Sequence, residues 1–116
     1  MTDSSFWNKL EEILLTAELV IDRPKGSAHP KYPAFIYPFD YGYLKNTCGG
    51  DGNEIDVWRG SRKEILLDGI ICTVDILKMD TEIKLLVGCT DDEQNFILEF
   101  INRSGFMSAF LVKRNL

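Results

Sequence analysis

The sequence predicts an α+β fold, a small five-stranded OB-like β-barrel with two flanking helices. Its 116 residues suit one domain, residues 1–116, with a single modest core. Two segments repeat apolar residues at helical spacing, and five short segments have the apolar, β-branched composition of strands. Because the connections between these segments are short, a small curled sheet covered by the helices is the natural packing.

The two helices are predicted near the ends of the sequence. Apolar residues recur every three or four positions between Phe6 and Ala17, which predicts a helix over roughly residues 5–17. Thr90-Asp-Asp-Glu93 is a capping-box pattern ahead of further apolar residues at helical spacing. It predicts a second helix that ends near Arg103.

Five segments have the composition of strands. They are Glu18–Asp22, the run that begins at Asp56, Gly69–Lys78, Glu82–Gly88 and Phe106–Val112. The short link Met79-Asp80-Thr81 predicts a hairpin between the third and the fourth of them. The segment from Pro24 to Tyr43 carries all four prolines and all four tyrosines, so we expect it to be extended and loop-rich.

Composition disfavours several classes of protein. A net charge of −5 disfavours general nucleic-acid binding, which needs clustered Lys and Arg. No apolar run approaches the roughly 20 residues of a membrane-spanning helix. The first residues are too polar and acidic for a signal peptide, so we expect a cytoplasmic protein. Three dispersed cysteines form neither a disulfide framework nor a zinc motif.

The most distinctive stretch is the acidic, glycine-rich segment Gly49–Trp58. It is consistent with an ordinary turn in which Asp and Asn side chains cap peptide groups. A calcium-binding EF-hand is excluded, because Asp56 stands where that loop needs glycine. A second account is that Asp51, in the turn, and Asp56, at the start of a strand, reach one hard cation such as Mg²⁺ from different directions.

Four segments in order resemble a known family. They are Ile21-Asp-Arg-Pro-Lys-Gly-Ser27, Lys31-Tyr32, Tyr37-Pro-Phe-Asp-Tyr-Gly-Tyr43 and the segment Asp51–Val57. Together they resemble the soluble inorganic pyrophosphatases of the β-barrel type, family I. The resemblance runs from about residue 19 to residue 59 and continues more loosely to Lys84.

The resemblance implies a set of site residues. Asp51 and Asp56 would be catalytic and would bind Mg²⁺, or Mn²⁺ in its place, together with Asp22, Asp80 and Glu82. The substrate, pyrophosphate or another small phosphate ligand, would contact Lys31, Tyr41 and Lys84. Asn53 stands at the position of a catalytic loop aspartate.

The sequence also departs from the family pattern. Asn53 is an amide that cannot accept a proton as a carboxylate does, and losing such a base costs roughly 10²–10⁴ in rate. The hairpin expected between Tyr32 and Tyr37 is absent, and a phosphate-binding arginine is absent with it. Three functions therefore stay open: a phosphoanhydride hydrolase of reduced activity, a non-catalytic phosphate- or nucleotide-binding module, and a structural remnant. The apolar helix faces leave homo-oligomerisation open as well.

Overall fold

The computed structural model describes residues 4–115, which form two helices and six strands. In chain order they are α1 (Ser4–Thr16), β1 (Leu19–Arg23), β2 (Asp40–Leu44), β3 (Ile55–Arg59), β4 (Leu67–Asp75), β5 (Asp80–Val87), α2 (Asp91–Asn102) and β6 (Met107–Lys113). The predicted α+β class and both predicted helices are confirmed. Neither helix in this part of the chain has the length and apolar character needed to cross a membrane.

The strands form one mixed sheet in the order β1-β2-β3-β5-β4-β6. Strands β3 and β5 pair in parallel, and the other neighbours pair antiparallel. In the described part of the chain, residues 4–115, the sheet is open, because its edge strands β1 and β6 do not pair with each other. The prediction of a closed, five-stranded barrel is therefore wrong in both closure and strand number.

The additional strand is β2, which lies inside the segment predicted to be a loop. It pairs with β1 on one side and with β3 on the other. Gly42 permits this, because a Cβ atom there would collide with the carbonyl oxygen of Val20. All four prolines precede Asp40, so none of them interrupts the strand.

Each face of the sheet carries its own core. Helix α1 packs on one face, where the buried residues are Trp7, Leu14, Leu44, Val57, Leu67, Ile70, Leu85 and Val87. Helix α2 packs on the other face, where they are Tyr37, Trp58, Ile71, Leu86, Cys89, Ile97 and Ile101. Because side chains alternate along a strand, polar residues in register with the second set also lie on the α2 face.

The predicted hairpin and capping box are both present. Asp75 pairs with Asp80 at the end of the β4–β5 hairpin, so the turn occupies residues 76–79 and includes the last three residues of the predicted strand Gly69–Lys78. Thr90 Oγ1 accepts a hydrogen bond from the Glu93 backbone N–H at 3.2 Å, and Glu93 Oε1 accepts one from the Thr90 N–H at 2.9 Å. This reciprocal pair fixes the start of α2.

One ion pair joins the two ends of the described chain. Arg114, just after β6, donates from Nη1 to Glu11 Oε1 of α1 at 2.6 Å. Its guanidinium group also lies over the ring of Trp7, 5.9 Å from the ring centroid. Helix α1 is thus held against the sheet from the C-terminal side as well as by its buried apolar residues.

Candidate active site

A cavity of about 290 Å³ opens on the α2 face of the sheet and gathers most of the predicted site residues. Its lining includes Asp22, Tyr41, Asp51, Asn53, Asp56, Glu82 and Lys84. A larger groove of about 720 Å³ beside α1 and β6 is mainly apolar. The smaller cavity is the candidate active site, because convergent titratable groups distinguish a chemical site from an apolar surface groove.

Lys84 lies at the centre of the polar groups. Its Nζ donates to Tyr41 Oη at 2.8 Å, to Asp56 Oδ2 at 2.9 Å and to Glu82 Oε2 at 2.9 Å. These three bonds use all the donors of an ammonium group. Burial acts to lower the pKa of Lys84, but its interactions with Tyr41, Asp56 and Glu82 raise it above its ordinary value. Lys84 is therefore a cation at neutral pH.

The strands explain why these four residues meet. Glu82 and Lys84 are two apart on β5, so both point to the α2 face. Tyr41 of β2 is in register with Trp58 of β3, which is in register with Leu86 of β5. Residues on the same face of adjacent strands are neighbours. The long side chains of Tyr41 and Lys84 meet across β3, the strand that lies between β2 and β5.

Burial and crowding of carboxylates change the acid strength of two groups. Burial raises the pKa of Glu82 to about 7, the positive charge of Lys84 opposes the shift, and Asp56 adds to it. Burial also raises the pKa of the Tyr41 phenol, against the opposing charge of Lys84. Tyr41 is therefore a neutral hydroxyl group at neutral pH.

Three carboxylates form a candidate metal centre. Asp51, Asp80 and Glu82 each offer one carboxylate oxygen, and these three atoms lie within 4.8 Å of one another. Each of the three side chains is partly accessible to solvent. Oxygen-only donor sets suit hard divalent cations such as Mg²⁺ and Mn²⁺, which usually bind through a few carboxylates and keep waters or phosphate oxygens at the remaining positions.

The loop before β3 fixes the orientation of Asp51. The Asn53 backbone N–H donates to Asp51 Oδ1 at 3.0 Å, and the Asn53 side-chain amide donates to Asp51 Oδ2 at 3.4 Å. Burial would raise the pKa of Asp51, but hydrogen bonds with the Asn53 backbone, the Glu82 side chain and the Asn53 side chain outweigh it and lower the pKa. Gly52, at φ 85°, provides the left-handed turn residue that the loop requires.

The chain matches a protein-family model over most of its length. The family model described as inorganic pyrophosphatase matches residues 9–84, more than half of the sequence. The chain belongs to the inorganic pyrophosphatase family. A curated inorganic pyrophosphatase from Leifsonia xyli subsp. xyli is 36% identical over 55 residues, with 34% of each chain covered. The chain thus spans about a third of the length of this relative.

Solved pyrophosphatase structures share the fold. The inorganic pyrophosphatase from Neisseria gonorrhoeae superimposes with a TM-score of 0.59 at 18% identity, covering 78% of this chain and 77% of that one. The inorganic pyrophosphatase from Helicobacter pylori gives a TM-score of 0.53 at 18% identity, covering 82% and 81%. At this identity the likeness establishes the architecture alone.

Within this pyrophosphatase fold, the predicted residues occupy different places. Asp51, Asp80 and Glu82 form the carboxylate cluster, whereas Asp56 pairs with Lys84 beside it. Asp22 lines the cavity from β1 with its side chain 45% exposed. Lys31 is exposed in the loop before β2 and does not line the cavity.

The pyrophosphatase-like segments did not reveal every cavity residue. Arg23, His29, Tyr37 and Lys78 also line it. Strand alternation predicts that Arg23 and Asp22 point to opposite faces, but an irregularity in the β1–β2 register places both at the cavity. Such a bulge has no clear sequence signal.

Proposed function

We propose that this chain hydrolyses inorganic pyrophosphate or a related phosphoanhydride in a reaction that depends on Mg²⁺ or Mn²⁺, at a reduced rate. The observation that carries the proposal is a cluster of three carboxylates, Asp51, Asp80 and Glu82, two of which line one cavity with the Lys84–Tyr41 pair. A net charge of −5 favours a small phosphate compound over nucleic acid as the ligand. The same proposal places the protein in the cytoplasm.

The carboxylate cluster is the part that would hold the cation. Three side chains would supply the ligand oxygens. Asp51 is ionised and oriented by Asn53, and Asp80 and Glu82 lie at the start of β5. A bound divalent cation would neutralise charge on the phosphate groups and make a coordinated water more acidic. Burial, with a smaller contribution from Asp56, raises the pKa of Glu82, and a bound divalent cation would favour its ionised form.

The remaining residues orient the substrate. Tyr41 accepts a hydrogen bond from Lys84 and keeps its own proton, so its hydroxyl group can donate to a phosphate oxygen. Asp56 holds the Lys84 ammonium group in place through a 2.9 Å ion pair. Phosphoryl transfer relies mainly on such positioning and charge stabilisation, which this set of groups supplies.

Asn53 supports a second candidate, a phosphate-binding module without turnover. Asn53 donates both of its hydrogen bonds to Asp51, one from the backbone N–H and one from the side-chain amide. The residue therefore orients a carboxylate and does not act as a base. We expect Asn53→Asp to raise the rate of pyrophosphate hydrolysis by about 10-fold or more, because it adds a proton acceptor at the cavity.

The test is phosphate release from pyrophosphate with and without Mg²⁺, in the wild type, Asn53→Asp and Asp51→Asn. We expect slow, Mg²⁺-dependent turnover in the wild type and a loss of about 100-fold in Asp51→Asn. Asp92→Asn is the matched control, since Asp92 is exposed in the first turn of α2 and does not line the cavity. It should behave as the wild type does.

Two results would contradict the proposal. Turnover that is independent of Mg²⁺, or equal in Asp51→Asn and Asp92→Asn, would show that the carboxylate cluster takes no part in the reaction. No turnover in the wild type with clear turnover in Asn53→Asp would favour the binding module.

A further inference from the structure

The bulge in β1 brings an additional cation into the cavity. Ile21 pairs with Gly42 and Arg23 pairs with Tyr41, so Asp22 has no partner of its own in the β1–β2 ladder. Without the extra residue, Asp22 and Arg23 would point to opposite faces of the sheet. Instead both line the cavity, where Arg23 Nε lies 4.0 Å from Asp22 Oδ2.

Arg23 is held in place but keeps most of its hydrogen-bonding capacity. Its Nη1 donates to the hydroxyl group of Tyr37 at 2.6 Å, the one side-chain hydrogen bond that it donates to residues 4–115. Tyr37 is 5% exposed, and its guanidinium partner lies 5.6 Å from the ring centroid. Since a guanidinium group has five N–H donors in a rigid fork, Arg23 can bind an oxyanion without leaving Tyr37.

Two tyrosines connect Arg23 to the polar centre. The rings of Tyr37 and Tyr41 lie 5.3 Å apart, and Tyr41 Oη bonds Lys84. The Arg23 guanidinium group, on β1, and the Lys84 ammonium group, on β5, therefore lie on either side of the Tyr37 and Tyr41 rings. An oxyanion beside Tyr37 and another beside Tyr41 can belong to one small molecule.

The charge on the Arg23 side of the cavity differs from the charge on the Lys84 side. Lys84 is neutralised by Asp56 and Glu82, each at 2.9 Å. Beyond Lys84, the cavity lining holds the cations Arg23 and Lys78, and burial lowers the pKa of His29, which the nearby charges of Arg23, Lys78 and Lys31 lower further. Asp75 also lines the cavity, but its Oδ1 already accepts hydrogen bonds from the Leu77 and Lys78 backbone N–H groups. Asp22, at 4.0 Å and 45% exposed, is a weak counterion. This side is suited to an anion.

We propose that Arg23, positioned by Tyr37 and supported by Lys78, forms a second oxyanion subsite that binds the phosphate group of a diphosphate farther from the Asp51, Asp80 and Glu82 cluster. The proposal rests on the proposed function in one respect, that the cavity takes a diphosphate. The subsite gives the cavity a preference for two linked phosphate groups over one.

The test measures binding without turnover. Calorimetry in the presence of Mg²⁺ compares methylenediphosphonate, which is not hydrolysed, with inorganic phosphate. We expect Arg23→Gln to weaken methylenediphosphonate binding by about 10- to 100-fold, the usual effect of losing charged hydrogen bonds, and to change phosphate binding much less. Arg103→Gln is the matched control, because Arg103 is exposed directly after α2 and lies outside the cavity lining.

Two further variants separate positioning from folding. Arg23→Lys keeps the charge but loses the fork, so it should lose less affinity than Arg23→Gln even if the glutamine variant folds poorly. Tyr37→Phe should also weaken methylenediphosphonate binding, and adding it to Arg23→Gln should cause no further loss, because the two residues act as one unit.

The outcomes distinguish this inference from the proposed function. Equal binding by Arg23→Gln and Arg103→Gln, an equal loss for phosphate and methylenediphosphonate, or no binding by the wild type would overturn the subsite. Arg23-dependent binding of methylenediphosphonate without any pyrophosphate turnover would support the subsite while overturning the hydrolase.

Discussion

At the scale of single residues, Lys84 holds two carboxylates that would otherwise repel each other. Its side chain is 8% exposed, and its ammonium group bonds both Asp56 and Glu82. We expect Lys84→Met to lower the free energy of unfolding by about 3 kcal/mol, because removing one partner leaves buried charge without compensation. Urea denaturation at neutral pH without divalent cations measures it.

The control for this prediction is Lys45→Met. Lys45 is exposed and lies outside the candidate site, so the same substitution should change stability by less than about 0.5 kcal/mol. If both variants unfold at the same urea concentration, the Lys84 ion pairs make no net contribution to stability.

The three cysteines provide a second residue-scale prediction. Cys48 is exposed, Cys72 is half-buried and Cys89 is buried. Burial raises the pKa of the Cys72 thiol, and burial followed by the charges of Glu93 and Asp68 raises that of Cys89 to about 12. Since thiolates are the reactive form, we expect one thiol to react quickly with Ellman's reagent near pH 8 and three to react after unfolding.

Cys48→Ser serves as the check on this assignment. It should remove the fast reaction and leave the slow ones unchanged. Two fast thiols in the folded wild type would show that the sheet face carrying Cys72 is more open than the structure has it.

The sequence predicted some site residues and missed others for physical reasons. Glu82 and Lys84 were predictable as neighbours because alternation along a strand is regular. Asp51 was predicted through the family resemblance of the segment Asp51–Val57, because its glycine-rich, acidic surroundings alone also fit an ordinary turn. Arg23 was not, since its direction depends on a bulge that arises from pairing with β2.

At the scale of secondary-structure elements, the edge strand β6 is partly covered by a side chain. Asn102, the last residue of α2, donates from Nδ2 to the Ala109 carbonyl oxygen at 3.1 Å and accepts from the Ala109 N–H at 2.7 Å. We expect Asn102→Ala to lose about 1 kcal/mol of stability and to self-associate more, because it exposes backbone groups on an edge strand. Light scattering across a concentration series measures the association.

Asn95→Ala is the comparison for the edge-strand prediction. Asn95 is exposed on the same helix, away from β6, so its loss should leave association unchanged. Equal scattering by the two alanine variants would mean that Asn102 does not protect the edge.

Elements with a local signal were predicted, and those that depend on partners were not. The capping box at Thr90 fixes α2 from neighbouring residues alone. Strand β2 is short and follows a proline-rich segment, and it is stabilised by β1 and β3 on either side. Propensity within the segment from Pro24 to Tyr43 carries little information about such tertiary pairing.

At the scale of the whole molecule, one sheet separates two cores and the candidate site lies on the α2 side alone. Helix α1 and its core support the opposite face. The strand order, in which β3 pairs with β5 and β4 lies beyond it, joins segments far apart in sequence. Order and closure of a sheet are therefore not readable from local patterns, and a closed barrel was predicted where the sheet is open.

The contact between Arg114 and Glu11 has a consequence for synthesis of the protein in the cell. The two residues are 103 positions apart, so at 5–20 residues per second the ribosome makes the second about 5–20 s after the first. During that interval the nascent helix displays the apolar side chains of Trp7 and Leu14 before the sheet that buries them is complete. Helix α1 therefore gains its ion pair with Arg114 only after the strands between the two residues have been made.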